Sequence, residues 1–412
     1  MRFRITSLAL LTSLTLTLTA CGGDPAAAPA AEAPIGPPVG DGHGGVGGAA
    51  EVTEPQLGLT TVDRAGTVTH LDLLDESVRE VGSVGAPDAV TTDGRYLFAG
   101  TAQGVEVVDS GVWTWDHVDH FHYYRAEPRL LGAVAGRGPA TVATTNLSTS
   151  GGTGVFFAGS GEAVLLDTEA LSKGEVRERF RLETGPHAGM VVPVGSFALV
   201  TAGEDGAATS VVGHTADGEP TGLEERCDGA SGTLTTRVGA VIGCADGALL
   251  ASVQDDELVV ERIPYPEGTT APRATAFANR EGRPTAAALA GTEGIWLLDT
   301  RERSWTLLPA PAPLVAVTAV DDDDEHVLAL AEDGRLLVLD GEDGSVLSRT
   351  EPLVADSLAA GLTPALIADQ QRAYLSGPVE QRLHEVDFAD DARVARTFET
   401  TTEPAFTAET GR

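Results

Sequence analysis

The chain has 412 residues, 61 acidic against 27 basic, for a net charge of −34. Phosphate backbones would be repelled by that balance, which argues against nucleic acid as a partner. It favours solubility and draws in cations.

Residues 1–21 read as a targeting segment. Arg2 and Arg4 supply positive charge, Ile5 to Thr19 form a short apolar and threonine-rich run, and Leu18-Thr-Ala-Cys21 has the form of a bacterial lipoprotein cleavage site. The run is too short for a comfortable membrane span. Cleavage before Cys21 and lipidation of its thiol are expected, anchoring the protein to the cell membrane on its outer side. Residues 22–50 are almost all Gly, Ala and Pro. They cannot bury a core and read as a flexible tether in which His43 is spacer.

Residues 51–412 are expected to form a single domain. A pattern recurs along them: an apolar run, a tight turn rich in Gly and Asp, then a second apolar run. The first runs are Leu59-Thr-Thr-Val62, Tyr96-Leu-Phe-Ala99, Val155-Phe-Phe-Ala158, Phe197-Ala-Leu-Val200, Ala240-Val-Ile-Gly243, Ala286-Ala-Ala-Leu289, Val327-Leu-Ala-Leu330 and Ala373-Tyr-Leu375. Glycine in the turns suits hairpins, because it adopts positive φ without strain. Alternation such as Arg335-Leu-Leu-Val-Leu-Asp340 suits strands buried between stacked sheets. The turns recur mostly every forty to forty-seven residues or so, about the length of one four-stranded propeller blade. The expected fold is all-β: a propeller of four-stranded antiparallel blades around a central channel. Eight blades are favoured. Seven is the alternative if the first copy shares a blade with a C-terminal strand around Arg393 to Thr400.

One interval is long, with 57 residues between the turns at Gly104 and Gly161. The excess falls on residues 111–139 and holds His117, Asp119, His120 and His122, with Asp116 immediately before this cluster. An oversized connection in a regular repeat is where function is grafted. Neutral imidazole and carboxylate are the ligands zinc takes outside thiolate sites. In an extended segment His120 and His122 share one face. His117 would fold back through a turn to join them. Asp119 or Asp116 would be a ligand, or would accept the second N–H of a ligand histidine and fix its tautomer. Copper(II) and nickel(II) take similar donors.

His187, in Thr184-Gly-Pro-His-Ala-Gly189, precedes the inner strand of a later blade and is a further candidate ligand. A link between the third and fourth strands of a blade opens onto the other mouth of the channel, so this assignment requires the long loop to fold over. Asp321-Asp-Asp-Asp-Glu-His326 is a second stretch that attracts cations, but consecutive carboxylates mostly stay solvated. His70, His214 and His384 stand alone and read as surface or core residues. Cys227 and Cys244 are the thiols left after Cys21. Outside the cytoplasm such a pair is expected to be a disulfide.

There is no GxSxG elbow, P-loop or HExxH pair, so no enzyme activity is expected. Two alternatives stand: a propeller that binds protein or glycan with incidental histidines, and a zinc hydrolase with Asp116 as base.

The chain resembles the AztD-type zinc chaperones, secreted partners of a bacterial ABC zinc importer. The resemblance rests on Asp116-His-Val-Asp-His-Phe-His-Tyr-Tyr124, on Gly185-Pro-His-Ala-Gly189, and on Cys227 with Gly243-Cys244-Ala-Asp-Gly247. It covers most of residues 55–400. It implies a β-propeller that binds Zn2+ and hands the ion by direct contact to a zinc-specific solute-binding protein, which delivers it to the importer. Two departures stand out. The family tends to carry a His-rich N-terminal segment, and here it is reduced to His43. A lipid anchor also replaces free diffusion. A monomer is expected.

Overall fold

The structure, a computed structural model, describes residues 44–116 and 120–412. The expected signal segment with Cys21, residues 22–43 of the tether with His43, and two candidate ligands, His117 and Asp119, lie outside the described residues.

Each apolar run and its turn is a hairpin. The eight are Gly58–Val62 with Thr67–Asp72, Tyr96–Thr101 with Gly104–Asp109, Gly152–Phe157 with Glu162–Asp167, Phe197–Glu204 with Ala207–Thr215, Ala240–Cys244 with Gly247–Gln254, Thr285–Leu289 with Gly294–Asp299, His326–Ala331 with Leu336–Asp340, and Ala373–Gly377 with Arg382–Asp387. An inner and an outer strand flank each hairpin and complete a four-stranded antiparallel blade in seven of the eight. In the sixth blade the inner strand is reduced to a bridge between Ala278 and Ala287.

These strands are apolar on both faces because each blade is covered by two neighbours. Phe156 points into a cluster with Val191, Ala198 and Val200 of the fourth blade, while the adjacent Phe157 joins Tyr96, Phe98 and Val107 of the second. Both rings are fully buried, and such burial contributes about 2 kcal/mol each. A cluster of this kind fills every one of the eight blade-to-blade contacts, including that of Leu59 and Leu71 in the first blade with Tyr374, Leu383 and Phe398 in the eighth.

The ring closes on the strand Phe406–Thr410, which pairs with Gly58–Val62 and serves as the inner strand of the first blade. This covers the edge of Gly58–Val62 that would otherwise invite association. The first copy therefore does share a blade with a late strand, but not the one around Arg393 to Thr400. Arg393–Glu399 is the outer strand of the eighth blade, and the count stays at eight. Cys227 and Cys244 form a disulfide with Cα atoms 5.0 Å apart. It joins the end of the fourth blade's outer strand to the fifth blade, in a core that holds both sulfurs out of solvent. Among the described residues no helix is long and apolar enough to cross a membrane.

The register decides which mouth each connection occupies. In the second blade the inner strand starts with Ala89 opposite Gly100 and ends with Thr92 opposite Leu97. Tyr96 faces Asp109, and Asp109 faces Arg129. The chain from Asp109 to Arg129 therefore leaves from the mouth where inner strands end, here called the exit mouth. The insertion itself is shorter than residues 111–139, because Arg129–Ala135 is the blade's own outer strand.

Candidate metal centre

The inserted segment is a hairpin of Val112–Asp116 and Phe121–Arg125. A third strand, Ala50–Val52, adds to its free edge, placing Glu51 opposite Tyr124. The predicted alternation holds. Trp115 lies across from His122 and Trp113 across from Tyr124, so these four side chains share one face. Asp116, opposite Phe121, takes the other.

The aromatic face is anchored from below. Arg95 is buried and forms a two-pronged ion pair with Asp109, its Nε and Nη2 at 3.0 and 2.9 Å from the two carboxylate oxygens. Its guanidinium lies 3.6 Å from the Trp113 ring centre. Trp113 stacks on Tyr124, and Tyr124 lies parallel to His122 at 6.4 Å. Gly44, at φ +75°, packs on the Trp115 indole so closely that any Cβ there would overlap the ring.

At the top of this column the Nε2 atoms of His120 and His122 are 2.9 Å apart. Two nitrogens bound to one tetrahedral zinc at the usual bond length are separated by about 3.3 Å. The pair is thus already close to the separation two ligands of one ion would have. The other nitrogen of His122, Nδ1, donates to Glu51 Oε1 at 2.6 Å. The sequence pointed to Asp116 or Asp119 for such a role. The described carboxylate that fills it is Glu51, 71 positions away in sequence, and no local pattern marks it.

His187 is not brought to this pair. It precedes the inner strand Val191–Val194, and inner strands begin at the opposite mouth. It is buried against Phe156, with Nδ1 2.9 Å from the Gly185 carbonyl and Nε2 2.9 Å from Thr201 Oγ1. Its loop explains the histidine: Nδ1 closes the loop on its own Gly185 carbonyl, and Nε2 ties the loop to Thr201 of the fourth blade.

The other histidines have local roles. His326 Nδ1 is 2.6 Å from Asp322 Oδ2 inside the acidic stretch. Asp321 of that stretch is paired with Arg301 at 3.1 Å. His70 is held by Thr60 Oγ1 at 2.9 Å, and burial pushes its pKa down to about 4. His214 Nδ1 meets the Val212 carbonyl, and His384 Nδ1 meets Thr397 Oγ1.

The hairpin also rests on the ring closure. Thr114 N–H donates to the Arg412 carbonyl at 3.2 Å, and its hydroxyl to the Gly411 carbonyl at 2.9 Å. The Arg412 side chain in turn pairs with Glu281 at 2.8 Å and Glu409 at 3.0 Å. One guanidinium serves two carboxylates, Glu409 fully buried and Glu281 half-buried. Desolvation outweighs the arginine for both, raising Glu281 and pushing Glu409 up to about 7.

No model of a known protein family matches the sequence. The zinc chaperone AztD of Citrobacter koseri is 25% identical over 354 residues, spanning 82% of both chains. The crystal structure of Citrobacter koseri AztD superposes with a TM-score of 0.75 at 20% identity, covering 87% of this chain and 99% of that one. Its apo form gives 0.74 over the same shares. A more distant likeness of fold, TM-score 0.53 at 17% identity, links the chain to dihydro-heme d1 dehydrogenase NirN, over 87% of this chain and 76% of the other. In sequence and in fold alike, this chain resembles the zinc chaperone AztD over more than four-fifths of its length.

Proposed function

We propose that this protein is an extracytoplasmic zinc chaperone rather than an enzyme. It binds Zn(II) at the tip of the inserted hairpin through His120 and His122, joined by His117 and Asp119, and passes the ion to the solute-binding protein of a zinc ABC importer. Lipidation of Cys21 tethers it to the cell membrane.

The observation that carries this reading is the pair of Nε2 atoms 2.9 Å apart at the end of a braced aromatic column. Two imidazole nitrogens meeting at that distance are one small displacement from clasping a metal. Similarity to a protein named as a zinc chaperone supports the choice of ion and of role. A chaperone needs a site that can be dismantled. His120 and Phe121 are exposed at the hairpin tip, so an acceptor's ligands can replace this protein's one at a time. The net charge of −34 raises the local cation concentration around the site.

The test is a zinc titration of the purified chain with its His120→Ala/His122→Ala double variant. One zinc per chain, absent from the double variant, is expected. Unchanged stoichiometry in that variant would overturn the site. Transfer is read by mixing the loaded protein with a zinc-specific solute-binding protein in the presence of a chelator. Movement of zinc to the acceptor faster than to the chelator alone is expected. A Cys21→Ser variant should leave the membrane fraction.

A further inference from the structure

The carboxylate beside the histidine pair comes from outside the His/Asp cluster. We infer that Glu51 is a positioning residue of the zinc site, and that the strand carrying it, Ala50–Val52, is linked to the metal. The inference rests on the zinc reading above and extends it to a residue and an element outside the hairpin.

Glu51 is placed by backbone pairing rather than by a chance side-chain rotamer. Ala50, Glu51 and Val52 pair in register with Arg125, Tyr124 and Tyr123. That register sets Glu51 on the same face as Tyr124 and His122. The approach of the strand is fixed by Gly44 against Trp115 and by Gly45 beside Tyr124. The carboxylate then meets Nδ1 of His122 at 2.6 Å, on the side of the ring away from His120.

An exposed ion pair by itself contributes little, commonly below about 1 kcal/mol. This one differs in what it acts upon. By accepting the Nδ1 hydrogen, Glu51 fixes the tautomer that leaves Nε2 with its lone pair toward His120. It also sets the ring's rotation. Loss of such outer carboxylates typically costs about 10–100-fold in metal affinity. Binding linkage makes the effect reciprocal. Whatever factor Glu51 adds to zinc affinity, zinc must add to the docking of the strand that carries Glu51. That strand is short, with three paired residues, so its opening is the natural place for the effect to be seen.

The experiment uses the full chain and the variants Glu51→Ala and Glu51→Gln. Zinc affinity is measured by chelator competition, the ligand set by cobalt(II) absorption, and strand docking by amide exchange of residues 50–52 with and without zinc. Expected are one metal per chain throughout, affinity lowered about 10–100-fold in Glu51→Ala, and an unchanged cobalt spectrum in Glu51→Gln. Zinc should slow exchange at residues 50–52 in the natural sequence and not in Glu51→Ala. Equal affinity of Glu51→Ala and the natural sequence overturns the inference while leaving the zinc site standing. A cobalt spectrum that loses a ligand in Glu51→Gln also overturns it, making Glu51 a direct ligand. Absence of zinc binding in the natural sequence removes this inference together with the proposed function.

Discussion

Thr114 donates its hydroxyl to the Gly411 carbonyl at 2.9 Å, across 297 positions of sequence. This bond joins the histidine hairpin to the strand that closes the ring, so the site and the closure are braced by the same contact. Thr114→Val keeps the shape and strand preference but removes the donor. It should cost about 1 kcal/mol of stability, read by urea unfolding, and lower zinc affinity a few-fold by loosening the hairpin.

Arg95 carries more. Its guanidinium is buried with Asp109 and lies over the Trp113 ring. Arg95→Ala would leave a buried carboxylate without its cation, a loss of about 3–5 kcal/mol. Arg95→Lys keeps the charge but neither the fork nor the stacking plane. It should recover part of the stability and little of the zinc affinity, as seen by thermal unfolding and chelator competition.

Glu409 is expected to make stability fall as pH rises. Desolvation pushes its pKa up to about 7, and Asp93 is pushed to about 7 for the same reason. A carboxyl raised in the folded state contributes fully below its unfolded value and loses that contribution as pH climbs through its folded value. The window is therefore about pH 4.5 to 7. Glu409→Gln should match the natural protein near pH 4.5 and be more stable at pH 8, on the order of 1–3 kcal/mol, in denaturant titrations at the two pH values.

The disulfide is structural and remote from the hairpin. The bridged residues are 17 apart in sequence, and a closed loop of that size stabilises by about 3 kcal/mol. A Cys227→Ser/Cys244→Ser variant should lose about that much in urea unfolding, while zinc stoichiometry stays at its natural value.

His187→Gln separates the two mouths of the ring. Glutamine can replace one of the two hydrogen bonds that hold the loop, so a loss of about 1 kcal/mol is expected. Zinc stoichiometry and affinity should not change, because His187 lies at the mouth opposite His120 and His122. A loss of bound zinc in this variant would place His187 in the metal site after all.

Much of the fold could be read in advance because a blade is a local object. Runs such as Val327-Leu-Ala-Leu330 are apolar on both faces, which demands a neighbour on each side, and the Gly-Asp turns fix where each hairpin folds back. The spacing gave eight units, and eight are present. The inner strand of the sixth blade and the closing strand Phe406–Thr410 were not legible, since neither has a turn glycine or a long apolar run. The meeting of His120 and His122 was legible from their spacing of two, and their Nε2 atoms do meet. The place of His187, bonded to Gly185 and Thr201 at the other mouth, was not legible, because loop histidines look alike in sequence whether they bind a metal or hold a turn. Glu51 was invisible, being one of 61 acidic residues with nothing nearby to single it out.

Alternation and period are properties of neighbouring residues, and they alone determined that this chain stacks sheets into a ring and grafts histidines onto an oversized connection. Which mouth that connection occupies, which carboxylate reaches His122, and which strand seals the ring depend on pairings across tens to hundreds of positions. Those pairings are set by strand register and by the burial of each blade against the next, and both exist only once the ring has formed.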